Sequence, residues 1–287
     1  MEPLDDAKFS GTKEVAEHLT IEVSNLQPWI DEFVPGAGRI NSIEQFKGGQ
    51  SNPTYKIVTE SKNLVLRRKP PGKLLPSAHA VDREYKVITA LYETDVPVPK
   101  TYGLCEDDEI AGTAFFVMDF LDGDLFWNPM IPSLSNQDRT EIYQNKNKTL
   151  ALLHGVDYKK IGLEDYGKPG NYVARQVARW SKQYRASETD DIEAMNNLID
   201  WLPKNIPDDD ETSIVHGDYR LDNMILKNNQ VMGILDWELS TLGHPIADFS
   251  YHCLSWRTQE AFWDQAKLKE LGVPSEKEYM DMYCENT

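Results

Sequence analysis

The residues best equipped for chemistry lie in one run, His216-Gly217-Asp218-Tyr219-Arg220-Leu221-Asp222-Asn223, with Asp236 following in Gly233-Ile234-Leu235-Asp236-Trp237-Glu238. A carboxylate, an amide five residues later and then a second carboxylate form a set suited to moving a phosphoryl group from a nucleoside triphosphate to a hydroxyl. One carboxylate orients the acceptor hydroxyl and takes its proton, which is the part open to Asp218. An amide oxygen and another carboxylate, here Asn223 and Asp236, hold Mg²⁺, a hard cation that prefers oxygen ligands. Each residue is commonplace alone; the spacing carries the reading.

Such a set needs elements that hold it. Ser213 to Val215 reads as a strand feeding the loop. Met224 to Leu226 and Val231 to Leu235 read as a hairpin joined by the polar turn Lys227-Asn228-Asn229-Gln230, which puts Asn223 and Asp236 at its two open ends. Helices are expected at about 138–154, 171–186 and 190–202 from their apolar periodicity and polar starts. Upstream, strands are expected over Ile40 to Phe46, Thr54 to Thr59, Asn63 to Arg68, Lys100 to Glu106 and Thr113 to Phe120, with a helix over roughly 80–93. The spacing of Val15, Leu19, Leu26, Ile30 and Phe33 predicts one or two leading helices from Ala7 to Phe33, interrupted near Pro28. The fold class is α+β, with a small strand-rich lobe over residues 1–120 and a mainly helical lobe over 121–287.

Composition narrows the function classes. The chain has 287 residues, with 47 acidic against 30 basic side chains and a formal charge of −17. That charge repels nucleic acid and anionic membrane surfaces, so neither is an expected partner. Cys105, Cys253 and Cys284 are far apart and form no CxxC pair, which suggests neither a disulfide framework nor a zinc site and fits a reducing cytoplasm. No stretch approaches the ~18 apolar residues of a membrane span, and Met1 to Ser10 is acidic and polar, unlike a signal peptide.

The run from His216 to Asn223 resembles the HGDxxxxN signature of the aminoglycoside phosphotransferase and choline kinase superfamily, which shares the protein-kinase fold. The resemblance extends from Phe46-Lys47-Gly48-Gly49-Gln50-Ser51-Asn52-Pro53-Thr54-Tyr55 through Leu64 to Lys73 and Phe116 to Phe120 as far as Leu242 to Asp248. It is nearest to the kinase-like domain that animals fuse to acyl-CoA dehydrogenases and to free-standing bacterial relatives. The resemblance implies a two-lobed kinase-like fold, ATP and Mg²⁺ as cofactors, and a small-molecule hydroxyl as acceptor, with a hydroxyacyl-CoA or hydroxy acid foremost. An antibiotic acceptor and a non-catalytic nucleotide-binding module are the alternatives. Relatives continue with further apolar helix where this chain stops at Thr287, which implies a shortened second lobe.

The remaining nucleotide-binding parts follow the same pattern. Gly48, Gly49, Ser51 and Asn52 lie between two strands, where small residues let backbone N–H groups approach phosphate oxygens; a plain turn has the same composition. In the strand Leu64-Val65-Leu66-Arg67-Arg68 the resemblance puts Arg67 where kinases place a phosphate-binding Lys, with Glu84 as partner and Arg68 as a possible substitute; an exposed surface pair is the other reading. Met118 and Phe120 are implied adenine neighbours, although a buried core strand has the same residues. Arg175, Arg179, Arg185, Trp180 and Tyr184 line one helix and suit either an anionic acceptor or a solvated face. His154, His244 and His252 read as packing or capping residues, and Asp248 as a support for the catalytic loop.

Overall fold

The computed structural model describes residues 10–48, 51–72, 79–258 and 264–287. Six antiparallel strands form the first lobe: β1 (Thr12–Lys13), β2 (Ile40–Phe46), β3 (Thr54–Thr59), β4 (Asn63–Arg68), β5 (Thr101–Cys105) and β6 (Phe115–Asp119). Their order is β1-β2-β3-β4-β6-β5. Period-two alternation sorts the sheet into two faces. Leu64, Leu66, Phe115 and Val117 belong to an outer cluster, whereas Val65, Phe116 and Met118 belong to an inner one. Because Arg67 pairs with Phe116 and Val65 with Met118, Arg67 shares the inner face.

The outer face is covered by the helix Val23–Phe33, whose Leu26, Trp29 and Ile30 are buried. From Ser10 onward this corrects the expectation of helix, whose first residues, 7–9, lie outside the described residues. Thr12–Lys13 pairs with β2, Glu17–Leu19 is a single 3₁₀ turn, and Pro28 lies inside a continuous helix. Proline removes one N–H bond to the carbonyl four residues back, but Ser24 is at the exposed surface, and burial on the sheet holds the helix.

The helix Val81–Leu91 packs on the inner face and carries Glu84 into the interior. Beyond Asp119 come the helices Asn136–His154, Tyr172–Ser187 and Glu193–Trp201, close to expectation. Between them and the C-terminal helices Pro245–Cys253 and Glu276–Asn286 lie β7 (Ser213–Val215), β8 (Met224–Lys227), β9 (Gln230–Ile234) and β10 (Thr241–Gly243). β8 and β9 run closer together than the four-residue turn allowed: Lys227 pairs with Gln230, and only Asn228 and Asn229 turn the chain, both with positive φ. Asparagine tolerates the left-handed conformation that a two-residue hairpin turn requires. The short β10, unanticipated from sequence, pairs with β7. The inner core is continuous across both parts of the chain, joining Val65, Phe116 and Met118 to Leu150, Ile214 and Trp237.

Candidate phosphoryl-transfer site

The loop after β7 is held from beneath by one buried carboxylate. Asp248 accepts the N–H of His216 at 2.7 Å and of Gly217 at 2.9 Å, and His154 Nε2 donates to it at 3.2 Å. Burial opposes its charge, but the hydrogen bond and charge of His154 outweigh this and hold Asp248 below the usual carboxylate range. Gly217 has φ +83°, and a Cβ there would lie 2.9 Å from the Leu239 carbonyl oxygen, so a side chain would be both strained and obstructed. His216 is fully buried; its Nε2 donates to the Leu235 carbonyl at 2.9 Å, leaving Nδ1 to accept the Asp218 N–H at 3.2 Å.

Asn223 donates from Nδ2 to the Asp218 carbonyl at 2.9 Å and to its carboxylate at 3.1 Å. Its amide oxygen is thereby presented on the other side. Met224 pairs with Ile234, and Leu235 N–H bonds the Asn223 carbonyl at 2.8 Å, so the hairpin brings Asn223 and Asp236 together. Asp236 has φ +62°, a left-handed conformation that Asp adopts more readily than most side chains but that still carries a cost which surrounding contacts must meet.

Arg67 meets Asp236 from the sheet. Its Nη2 lies 2.6 Å from Asp236 Oδ1 and 3.9 Å from Glu238 Oε2, while its Nε donates to Glu84. Burial disfavours the charge of Arg67, yet Glu84 and then Asp236 outweigh that and raise its pKa. Burial pushes the Glu84 carboxyl up to about 7, against the pull of Arg67 and with a further push from Asp236. Arg68, considered as the substitute, lies on the opposite sheet face, where it donates to the carbonyls of Ala111 and Leu19. The alternation of β4 separates the two arginines.

The phosphate-loop residues have diverse positions. Gly48 lines the cavity described below, and Gly49 lies outside the described residues. Asn52 is a correction: it is fully buried, donating to Glu84 at 2.9 Å and accepting from His79 at 3.0 Å, so its side chain orients Glu84 instead of facing phosphate. Ser51 donates to Glu238 at 3.1 Å. Glu238, quoted in the sequence run but given no role there, was detectable as the acid two residues after Asp236. Arg220, also unassigned, has Nε 3.6 Å from Asp218 and pairs with Asp222.

A cavity of about 590 Å³ lies between sheet and hairpin, lined by Val65, Met118, Phe120 and Ile234 at its apolar end and by Arg67, Asn223 and Asp236 at its polar end. The rings of Phe46 and Phe120 are parallel within 10° with centroids 6.4 Å apart. Asp218 adjoins the cavity through Asn223. His244 accepts the Ile246 N–H and caps its helix, while His252 bonds Tyr219 and Tyr279. The helix Tyr172–Ser187 buries no residue. Among the described residues, no group of three or more His, Cys, Asp or Glu is arranged for a metal, the three cysteines are free, and no helix is long and apolar enough to cross a membrane.

The sequence profile of the Phosphotransferase enzyme family matches residues 42–283. The chain is 40% identical over 288 residues to human acyl-CoA dehydrogenase family member 11, covering 96% of this chain and only 37% of that protein. A Ralstonia eutropha crystal structure, provisionally named an aminoglycoside phosphotransferase, matches with a TM-score of 0.85 at 47% identity, covering 93% of this chain and 81% of that one. The streptomycin–ATP ternary complex of APH(2")-IIa shares the fold at a TM-score of 0.62 and 18% identity, covering 92% of this chain and 82% of that one. With a match across most of its length and the same α+β, kinase-like architecture, the chain belongs to the Phosphotransferase enzyme family.

Proposed function

We propose that this chain is a cytoplasmic, ATP- and Mg²⁺-dependent kinase of a small-molecule hydroxyl. The observation that carries the reading is the meeting of Arg67, Asn223 and Asp236 at the polar end of one apolar-backed cavity, with Asp218 one hydrogen bond away. The apolar end suits a base and the polar end a triphosphate. The residues fit Mg²⁺: a carboxylate and an amide supply oxygen ligands, and Asp236 already accepts a cation, the guanidinium of Arg67, at 2.6 Å. Mg²⁺ held by Asn223 and Asp236 would supply charge neutralisation of the phosphates.

The protein's own part is positioning and proton transfer. Asp218, fixed by Asn223 and by the His216 anchor, orients the acceptor hydroxyl and takes its proton. Arg67, fixed by Glu84, presents its guanidinium to phosphate oxygens. The N-terminal lobe, residues 1–120, then serves the nucleotide, and residues 121–287 carry the catalytic residues and serve the acceptor.

A hydroxyacyl-CoA or hydroxy acid is the preferred acceptor. The helix Tyr172–Ser187 carries Arg175, Arg179, Lys182 and Arg185 with no acid, and Tyr172 at its start lies against Gly243 of β10. A cationic helix that starts against β10, the partner of the strand feeding the catalytic loop, in a chain with charge −17 favours an anionic acceptor over a cationic aminoglycoside. The match to an acyl-CoA dehydrogenase family member agrees with that preference.

The test is Mg²⁺-dependent transfer from γ-labelled ATP to a panel of hydroxyacyl-CoAs, hydroxy acids, aminoglycosides and macrolides. Asp218→Asn should bind ATP but lose ~10²–10⁴-fold in turnover, as when a general base is removed. ATP binding without transfer to any acceptor would instead identify a nucleotide-binding module, and full turnover by Asp218→Asn would overturn the assignment of the base.

A further inference from the structure

The family match begins at residue 42, yet the nucleotide cavity is lined in part by residues well before it. Ser10 and Gly11 contribute to its wall, together with Phe126 and Trp127 from the chain just beyond the sheet. The early segment is firmly seated. Thr12 and Lys13 pair with Phe46 and Gln45, the Lys47 N–H bonds the Gly11 carbonyl at 3.0 Å, and the Thr12 hydroxyl donates to Glu44 at 2.6 Å. These contacts brace β2 at Phe46, one of the two parallel rings at the apolar end. On the other side, Trp127 Nε1 donates to the Ser10 hydroxyl at 3.2 Å. The segment therefore spans from the sheet edge to the start of the helical part.

The geometry points to Ser10, Gly11 and Trp127 as a nucleoside-binding wall: a clasp that closes the outer side of the cavity against the base and ribose of the bound nucleotide. The inference rests on the proposed reading of this cavity as the nucleotide site. Its chemistry is that of a nucleoside, because the clasp offers an indole, a hydroxyl and backbone groups but no charge, and the phosphate-facing cations lie elsewhere. An aromatic face is a good partner for base or sugar, and backbone N–H and C=O groups supply polar contacts.

The test is calorimetric titration of the whole chain and of Ser10→Ala and Trp127→Leu with ATP, adenosine and tripolyphosphate, beside thermal midpoints without ligand. Trp127→Leu is expected to weaken ATP and adenosine alike by about tenfold, the scale of a lost aromatic contact to a base, and to leave tripolyphosphate unchanged. Ser10→Ala, which removes one hydroxyl at the partly buried segment, is expected to weaken both nucleosides by a smaller factor with an unchanged midpoint. If Trp127→Leu fails to fold, Ser10→Ala decides alone. Wild-type-like adenosine affinity in a folded variant would overturn the clasp while leaving the kinase reading intact; no ATP binding by the wild type would overturn the reading on which it rests.

Discussion

Arg67 donates to Asp236 across 169 positions of sequence at 2.6 Å, so β4 of the sheet and the β8–β9 hairpin are joined by one guanidinium. The same group is anchored on Glu84, which is 1% exposed, and Glu84 is oriented by Asn52. The cleft is thus bridged by charges that, on the proposed reading, ATP and Mg²⁺ would share.

Arg67→Met should therefore do more than weaken ATP. It strands the buried Glu84 without its cation, and breaking a buried pair in this way costs about 3–5 kcal/mol. Arg67→Lys keeps a charge but loses the fork that reaches two carboxylates, so a smaller loss is expected. Urea unfolding of both variants measures this, and a midpoint unmoved by Arg67→Met would show that the ion pair does not hold the lobes.

Glu84 should leave a mark on stability against pH. Its pKa rises from 4.5 to about 7, so the fold favours the protonated carboxyl. That contribution is complete below 4.5 and is lost as pH climbs through about 7. Glu84→Gln is neutral at every pH and should lack this decline, whatever its absolute stability. Thermal midpoints from pH 4.5 to 8 decide the matter; equal slopes for the two proteins would refute the assignment.

Asp248→Asn should separate catalysis from nucleotide binding. The substitution replaces one acceptor oxygen with a donor facing N–H groups, which loosens the loop carrying Asp218 while leaving the cavity untouched. Turnover is expected to fall by about 10²-fold, as for a small misplacement of a catalytic group, with ATP affinity retained. The pKa of Asp248 is depressed below 3.8 by His154, so its stabilisation is present above that value and is lost as pH falls through the native value. The variant should lack this acid-side loss; an equal fall in ATP affinity would point to a wider structural role.

Much of this arrangement was legible in the sequence because its signals are local. Asp218, Asn223 and Asp236 fall within nineteen consecutive positions, and a strand-loop-hairpin can place them in few ways. The choice between Arg67 and Arg68 needed only to know which face of β4 meets the helix Val81–Leu91. Asn52 was not legible: beside glycines it looked like a phosphate donor, and its true partners, His79 and Glu84, lie 27 and 32 positions away. Pro28 misled for the opposite reason, since a local helix-breaking preference was overridden by burial of Leu26, Trp29 and Ile30 on a sheet made of later residues.

The helix Val23–Phe33 has a practical consequence for any shortened version of this protein. Trimming the chain to the family boundary at residue 42 would strip the lid from the outer sheet face and leave Leu64, Leu66, Phe115 and Val117 bare to water. An apolar surface of that kind invites self-association. A fragment that keeps Arg67, Asp218, Asn223 and Asp236 would then fail in the test tube through insolubility, with those residues intact.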